Sequence, residues 1–203
     1  PTRGVSRRAA MQRQLLPVML GWFADGPDPD GGLLAFRRLS ESLGASSWFL
    51  RMLRDSNAAA QRLCGVLSSS RFIGDLLEHS PESTAWLGDD RQLEPMEPEA
   101  LWKQARAVLS RRDRSEEPAK VVRHVRHARR REILRVALAD ASGHIDLEQT
   151  VRALSDVDHV AVLGALHVCL AAVEQKEELL TDVAVVAMGR QGGREITYGS
   201  DLD

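Results

Sequence analysis

The chain has 203 residues, which is enough to bury a sizeable core in one or two domains without a covalent staple. Its 27 Lys and Arg residues nearly balance its 29 Asp and Glu residues, so the composition lacks the global positive charge that is typical of nucleic-acid-binding proteins. The sequence shows no signal peptide and no apolar stretch long enough to span a bilayer. We therefore expect a cytoplasmic protein that binds neither nucleic acid nor a membrane. Because the chain begins with Pro1 rather than Met, we also expect it to be a piece of a longer protein.

The first half of the chain is predicted to form short helices. A helix ends near Ala24, a turn rich in Pro and Gly covers 25–32, and helical periodicity resumes over Leu33–Leu43. Later helices start at polar residues whose side chains can accept a hydrogen bond from a free N–H of the first turn. The candidate N-caps are Asp55, Ser56 or Asn57 for one helix and Ser69 or Ser70 for the next. This pattern predicts a compact helical connector.

Helical periodicity continues to about residue 180. The acidic stretch Gly88–Pro98 contains two prolines and is the best candidate for a domain boundary. The helices expected after it begin at Pro98, at Ser115–Pro118 (running to about Ala141), near Leu147, and near Asp156 (running to about Gln175). Both cysteines, Cys64 and Cys169, lie among apolar residues at helical spacing and are predicted to be buried free thiols.

The basic stretch Arg123–Arg131 belongs to the long predicted helix. Valines at Val121 and Val125 give that helix a core face, so the arginines are interpreted as its solvated side. A surface for an acidic partner is the alternative. Aromatic residues are sparse between these charges, which argues against binding of single-stranded nucleic acid.

The residues after 181 differ from the helical part. Val183–Met188 is an apolar run rich in β-branched residues, which is typical of a strand buried on both faces. A glycine-rich turn follows, with Gly189, Gly192 and Gly193, and the chain then ends in Ser200, Asp201, Leu202 and Asp203. Because alternate side chains of a strand share a face, Asp201 and Asp203 are predicted to project together, roughly 6–7 Å apart.

Two carboxylates at this spacing can hold Mg²⁺ beside the phosphates of a nucleotide, since Mg²⁺ prefers oxygen ligands. The glycines let the backbone approach the phosphates, and Arg190 or Arg194 can supply a nearby cation. The order of strand, glycine turn and Asp-x-Asp strand therefore indicates phosphoryl or nucleotidyl transfer. The alternative for Asp201 and Asp203 is a solvated turn, and for the arginines an ordinary surface position.

A second Ser-Asp-x-Asp string occurs at Ser155–Asp158. No buried strand or glycine turn leads into it, and an apolar helical pattern follows. We interpret Ser155 as the N-cap of a helix that carries Asp156 and Asp158 in its first turn, where the helix dipole favours acidic residues. We do not expect metal binding there.

The run Ala187–Asp203 closely resembles the signature of the bifunctional glutamine synthetase adenylyltransferases/adenylyl-removing enzymes, which belong to the polymerase-β-like nucleotidyltransferase superfamily. The stretch Phe49–Leu63, continued by Ser70–Phe72 and Leu76–Leu77, is similar to the one that precedes their second, C-terminal catalytic domain. The resemblance implies a mainly α fold, a helical bundle or connector, that runs into the first strands of an α+β nucleotidyltransferase domain.

The resemblance also implies the role of each matching residue. Asp201 and Asp203 match the metal-binding aspartates, so Mg²⁺ is the expected cofactor and ATP the expected substrate. The expected nucleotide-binding residues are Gly189, Arg190, Gly192, Gly193 and Ser200. Gln191 departs from the apolar residue that is usual in the family. A third carboxylate, on a later strand of this superfamily, has no counterpart here, so we expect the fragment alone to be inactive.

The implied function is transfer of AMP from ATP to a tyrosine of glutamine synthetase, with phosphorolytic removal by the other domain of the full-length protein. The expected partners are glutamine synthetase and a nitrogen-signalling regulatory protein. The predicted domains are 1–32, the end of a helical segment and a linker; 33–97, a helical connector; 98–180, a helical bundle; and 181–203, the start of the nucleotidyltransferase domain. A non-catalytic helical interaction module and a nucleotidyltransferase for another acceptor are the alternatives.

Overall fold

The computed structural model describes residues 7–43, 46–110, 117–174 and 181–200. Within these ranges the regular elements are all helices, and no residue belongs to a strand. The mainly α prediction is therefore confirmed for the part of the chain that is described. The α-helices are α1 (Arg7–Ala24), α2 (Pro29–Ser42), α3 (Ser47–Asp55), α4 (Asn57–Ser69), α5 (Arg71–His79), α6 (Asp90–Leu93), α7 (Pro98–Ser110), α8 (Pro118–Ala141), α9 (Leu147–Glu174) and α10 (Gly189–Gly192), with a 3₁₀ helix at Pro81–Gly88.

The chain divides into two compact units, each made of two stretches of sequence. Unit 1 comprises Pro1–Glu94 and Ala137–Ile145, and unit 2 comprises Pro95–Val136 and Asp146–Asp203. The first separation along the chain falls between Glu94 and Pro95, next to a short proline-containing stretch.

Helix α4 lies at the centre of unit 1. It contacts α1, α2, α3, α5 and the 3₁₀ helix. Its buried residues are Ala59, Ala60, Leu63, Cys64, Val66, Leu67 and Ser68. Small and branched side chains on nearly every face explain how one short helix packs against five neighbours.

Two of the helices in unit 1 begin where local chemistry predicts. The Ala59 N–H donates to the Ser56 Oγ at the start of α4, over 3.2 Å. The Ile73 N–H donates to the Ser70 Oγ at the start of α5, over 3.4 Å. These bonds satisfy N–H groups that have no partner inside their own helix, so Ser56 and Ser70 are confirmed as N-caps.

In unit 2, α7 and α9 pack together, and α9 also contacts α8. The Arg129 guanidinium of α8 pairs with the Asp158 carboxylate of α9, whose side chain is only 2% exposed. Nearby, the buried Glu132 accepts hydrogen bonds from the Met96 N–H (3.0 Å) and from Arg135 Nε (3.1 Å). Each buried carboxylate thus has a charged or N–H partner, as burial of charge requires.

Helix α9 corrects three predictions. It is one continuous helix from Leu147 to Glu174, not two, and Cys169 on it is exposed rather than buried. An 18-residue window of α9 has a mean hydropathy of 1.6, so this helix is long and apolar enough to cross a bilayer by length and composition alone. The expectation that no such stretch exists is therefore wrong. Within unit 2, the same helix packs against α7 and carries the buried ion pair at Asp158.

Candidate functional site

The predicted site residues fall in the last segment of unit 2. Gly189, Arg190, Gly192, Gly193 and Ser200 are described by the structure. Asp201 and Asp203, the predicted metal ligands, lie outside the described residues. The geometry of the site can therefore be built as far as Ser200.

The apolar run before the glycines is exposed. Val183–Met188 has no regular secondary structure, and Val186 is 75% exposed. A strand needs a neighbouring strand to pair its N–H and C=O groups, and no residue within 181–200 or the other described ranges takes part in one. The predicted burial on both faces is therefore wrong for the residues described.

The glycine-rich turn is the single helical turn α10. Gly189 has φ +52°, in the region that favours glycine, and a Cβ on Gly192 would lie 2.6 Å from the Ala187 carbonyl oxygen. Gly193 has φ −78°, and the nearest atom to a Cβ there would be 3.5 Å away, an ordinary contact. The turn itself thus requires glycine at the first two positions but not at Gly193.

The backbone of α10 is hydrogen-bonded within the turn. The Gly192 N–H donates to the Met188 carbonyl (2.9 Å) and the Gly193 N–H to the Gly189 carbonyl (3.0 Å). The expectation that the glycine backbone faces phosphates remains a prediction, and in this structure those two N–H groups have partners inside the turn.

Arg190 and Ser200, ten positions apart, are brought together. Arg190 Nη1 donates to the Ser200 Oγ over 3.3 Å. The same oxygen accepts the Thr197 N–H (3.0 Å), while the Ser200 N–H donates to the Thr197 carbonyl (3.0 Å). A tight turn over 197–200 therefore carries the residue that precedes Asp201 to the side of the glycine turn.

The segment is attached to the N-terminal half of α9 through the second Ser-Asp-x-Asp string. The Ile196 N–H donates to the Ser155 Oγ (3.3 Å), and Gln191 Nε2 donates to the Ser155 carbonyl (3.3 Å). Arg194 Nη2 pairs with Asp156 Oδ1 at 2.6 Å. Ile196 itself is 2% exposed.

These contacts correct the N-cap interpretation of Ser155. It lies eight residues inside α9, and its hydroxyl donates to the Val151 carbonyl one turn earlier (2.7 Å). Sequence reasoning missed Ser155 and Asp156 as parts of the site because their partners lie about forty residues away. Gln191 was noted only as a departure from the family, and its polar side chain is what reaches Ser155.

The described residues contain no cluster of three or more His, Cys, Asp or Glu side chains able to hold a metal ion. In the Ser155–Asp158 string, both aspartates are paired with arginines. The prediction of a Mg²⁺ site depends on Asp201 and Asp203, which the described ranges do not include.

The sequence matches the family model described as "Glutamate-ammonia ligase adenylyltransferase" over residues 60–203, which include α10 and the attachment to α9. The chain belongs to this family. The match extends well beyond the signature at the end of the chain, since it begins in α4.

Three relatives from bacteria named "Bifunctional glutamine synthetase adenylyltransferase/adenylyl-removing enzyme" are similar over nearly the whole chain. The protein of Leifsonia xyli subsp. xyli is 49% identical and that of Cutibacterium acnes 44% identical, each over 100% of this chain. The protein of Streptomyces coelicolor is 43% identical over 98% of it. The chain covers 20–21% of these relatives, so it spans about a fifth of their length.

Proposed function

We propose that this chain is the part of a bifunctional glutamine synthetase adenylyltransferase that leads into a nucleotidyltransferase site. In the full-length protein, that site would transfer AMP from ATP to a tyrosine of glutamine synthetase, and another domain would remove it by phosphorolysis. The names of the relatives support glutamine synthetase as the target. The helical stretch before the site favours the attaching domain, because its sequence resembles the lead-in to the C-terminal catalytic domain.

The observation that carries this proposal is the contact between Arg190 and Ser200. It joins the glycine turn to the residue directly before Asp201. A nucleotide site needs a cation near the phosphates and carboxylates near the same phosphates, and this contact supports such an arrangement. An arrangement with the two turns apart would have argued against it.

The donor set of the proposed metal site is a pair of carboxylates one residue apart. Mg²⁺ prefers oxygen ligands and commonly uses one or two carboxylates together with substrate phosphates, so Asp201 and Asp203 fit this cation by their chemistry. When bound, Mg²⁺ would neutralise charge on the phosphates. Arg190 would contribute a positive charge from the glycine turn, and the tyrosine oxygen would form a bond to the α-phosphorus as the bond to pyrophosphate breaks.

We also propose that Val183–Met188 becomes the first strand of the α+β polymerase-β-like domain. Its exposed β-branched side chains and its lack of regular secondary structure in the described residues are what such a strand presents before the rest of a sheet covers it. The fragment alone would then be inactive. Control by a nitrogen-signalling protein and a cytoplasmic location complete the proposal.

The experiment uses the full-length protein with labelled ATP, Mg²⁺ and glutamine synthetase. The wild-type protein should label glutamine synthetase, and Asp201→Asn with Asp203→Asn should abolish the label while circular dichroism keeps its helical signal. Label on a different acceptor would favour another nucleotidyltransferase. Absence of transfer to any acceptor would leave a helical interaction module and refute the proposal.

Gly193→Ala tests whether the backbone at this position approaches the phosphates. The turn tolerates a Cβ there, so the variant should fold like the wild type. If the phosphates lie against Gly193, the KM for ATP should rise by about tenfold, equivalent to roughly 1.4 kcal/mol. An unchanged KM would mean that Gly193 is not in contact with the nucleotide.

A further inference from the structure

The contacts between α9 and the segment that follows it form a defined group, which we call the α9 latch. It consists of Ser155 and Asp156 on α9 and of Gln191, Arg194 and Ile196 on the segment. Gln191 lies inside the glycine turn, and Arg194 and Ile196 lie between that turn and the Thr197–Ser200 turn. The latch therefore holds the chain within the glycine turn and directly after it.

The hydroxyl and the carbonyl of Ser155 both have hydrogen-bond partners. Its hydroxyl donates to the Val151 carbonyl and accepts the Ile196 N–H, and its own carbonyl accepts the Gln191 amide. Ser155 and Ile196 are each 2% exposed, so the Ile196 N–H has no access to water as a substitute partner. Loss of the hydroxyl would leave a buried donor unsatisfied.

Asp156 holds a residue in an uncommon backbone conformation. Arg194 has φ +57°, which residues with a Cβ adopt at a cost in free energy. Its guanidinium pairs with Asp156, whose side chain is 17% exposed, and its N–H donates to the Gln191 carbonyl. Contacts that hold a residue in such a conformation also fix the orientation of the turn that contains it.

The pairing also separates the roles of the two arginines near the glycines. Arg194 is held at α9 by a carboxylate, whereas Arg190 points to Ser200, beside the proposed nucleotide site. A carboxylate so close to Arg194 competes with any phosphate for that cation. Arg194 is thus suited to anchor the segment rather than to bind ATP.

We propose that Ser155 and Asp156 are positioning residues for adenylyl transfer, which they support by fixing the glycine turn and Arg190 relative to α9. This inference rests on the proposed function. Neither residue touches the substrate. They act through Ile196 and Arg194, and they lie in a string that the sequence alone assigns to an ordinary helix start.

The test is a double-mutant cycle in the full-length protein. Asp156→Ala and Arg194→Ala should each lower kcat/KM for ATP by about 10- to 100-fold, since misplacement of a site by a distant change has effects of this size. The double variant should be no worse than either single variant, because both remove the same contact. The charge-swapped pair Asp156→Arg with Arg194→Asp should recover most of the activity.

A matched control lies on the same helix. Glu148 and Arg152 form an exposed i,i+4 ion pair on α9, and neither makes a hydrogen bond or ion pair with the described residues 181–200. Glu148→Ala and Arg152→Ala should leave kcat and KM unchanged. A loss equal to that of Asp156→Ala would show a general effect of charge on α9 and overturn the proposal.

Ser155 is tested by loss and rescue. Ser155→Ala should speed hydrogen exchange at the Ile196 amide and lower kcat, whereas Ser155→Thr keeps a hydroxyl and should restore both. Unchanged exchange over 189–197 in Asp156→Ala and in Ser155→Ala would overturn the latch. So would full activity in Asp156→Ala alongside an inactive Arg194→Ala, which would make Arg194 a phosphate contact.

The two proposals fail in different ways. A wild-type protein that transfers no AMP refutes the proposed function, and the exchange measurement still decides whether the latch fixes the turn. A wild-type protein that transfers AMP, with additive effects of the two single variants and no recovery in the swapped pair, refutes the positioning role alone.

Discussion

Helix α4 in unit 1 and the segment 181–200 in unit 2 are held in place by different means. Helix α4 buries seven residues against five neighbouring elements. Within 181–200, only Ile196 is buried, and the segment is positioned by a few hydrogen bonds and one ion pair. The apolar residues of α4 face a core, whereas those of Val183–Met188 face solvent.

The contacts of α4 therefore determine the stability of unit 1, whereas those of the segment determine the position of the glycine turn. Burial of apolar area supplies most of the free energy of folding, so changes in α4 should act on the whole of unit 1. The polar contacts of the segment add little to global stability, but they determine where the glycine turn lies. Substitutions in the two regions should therefore be distinguishable by what they alter.

The largest effect on stability is expected for Leu63→Ala. Leu63 is 0% exposed in α4, and its truncation removes apolar contacts and leaves a cavity, at a cost of about 2–5 kcal/mol. Urea unfolding monitored by circular dichroism measures the change. Val186→Ala is the counterpart in the exposed run and should alter the free energy of unfolding by less than about 0.5 kcal/mol. Equal effects would remove the contrast between the two regions.

The next effect is local and lies in the segment. Gly192→Ala places a Cβ 2.6 Å from the Ala187 carbonyl oxygen, so the turn must shift, at a cost of about 1–3 kcal/mol. Hydrogen exchange over 187–193 should accelerate, while exchange in α4 stays unchanged. Gly193→Ala, which meets only ordinary contacts, is the matched control. Acceleration in α4 as well would mean that the two regions are coupled.

A smaller effect is expected at a helix start in unit 1. Ser70→Ala removes the acceptor for the Ile73 N–H and should lower stability by about 1 kcal/mol. Ser46, at the N-cap of α3, makes no such side-chain hydrogen bond, so Ser46→Ala should be close to neutral. If both variants lose the same stability, the hydrogen bond at Ser70 is not the cause.

The smallest effect is expected from alkylation at pH 8. Burial raises the pKa of the Cys64 thiol to about 12, so at pH 8 it is protonated and shielded, whereas Cys169 is exposed. Iodoacetamide should label Cys169 alone and leave the unfolding of unit 1 unchanged.

Because the raised pKa of Cys64 favours the protonated, folded form, this contribution to stability is complete below pH 9 and is lost as the pH approaches 12. Labelling of Cys64 in the folded chain at pH 8 would contradict its burial.

Helix starts that depend on neighbouring residues could be predicted from the sequence. Ser56 and Ser70 cap helices because their hydroxyls reach N–H groups three residues ahead. Ser155 has the same chemistry but a different outcome. Its hydroxyl bonds back to Val151, which lets the helix continue, and its other partner, Ile196, is 41 positions away. A local pattern carries no information about such a partner.

In the candidate site, too, features set by neighbouring residues could be predicted, whereas features that depend on distant partners could not. The glycine pattern predicts a sharp turn, and Gly189 and Gly192 have the φ angle and the close approach that need glycine. The strand over Val183–Met188 could not be decided locally, since β-branched residues favour extended backbone but a strand also requires a partner. Cys169 was misjudged because apolar neighbours in sequence do not show which face of a long helix is covered.

Unit 1 is assembled from two separate stretches of the polypeptide, and this has a practical consequence for dissecting the protein. The second stretch, Ala137–Ile145, includes Ala137, Leu138 and Ala139, each no more than 2% exposed. A gene truncated after the codon for Glu94 would lack these buried side chains and leave apolar surface bare. Expressing unit 1 alone would instead require joining 137–145 to the first stretch through a designed linker.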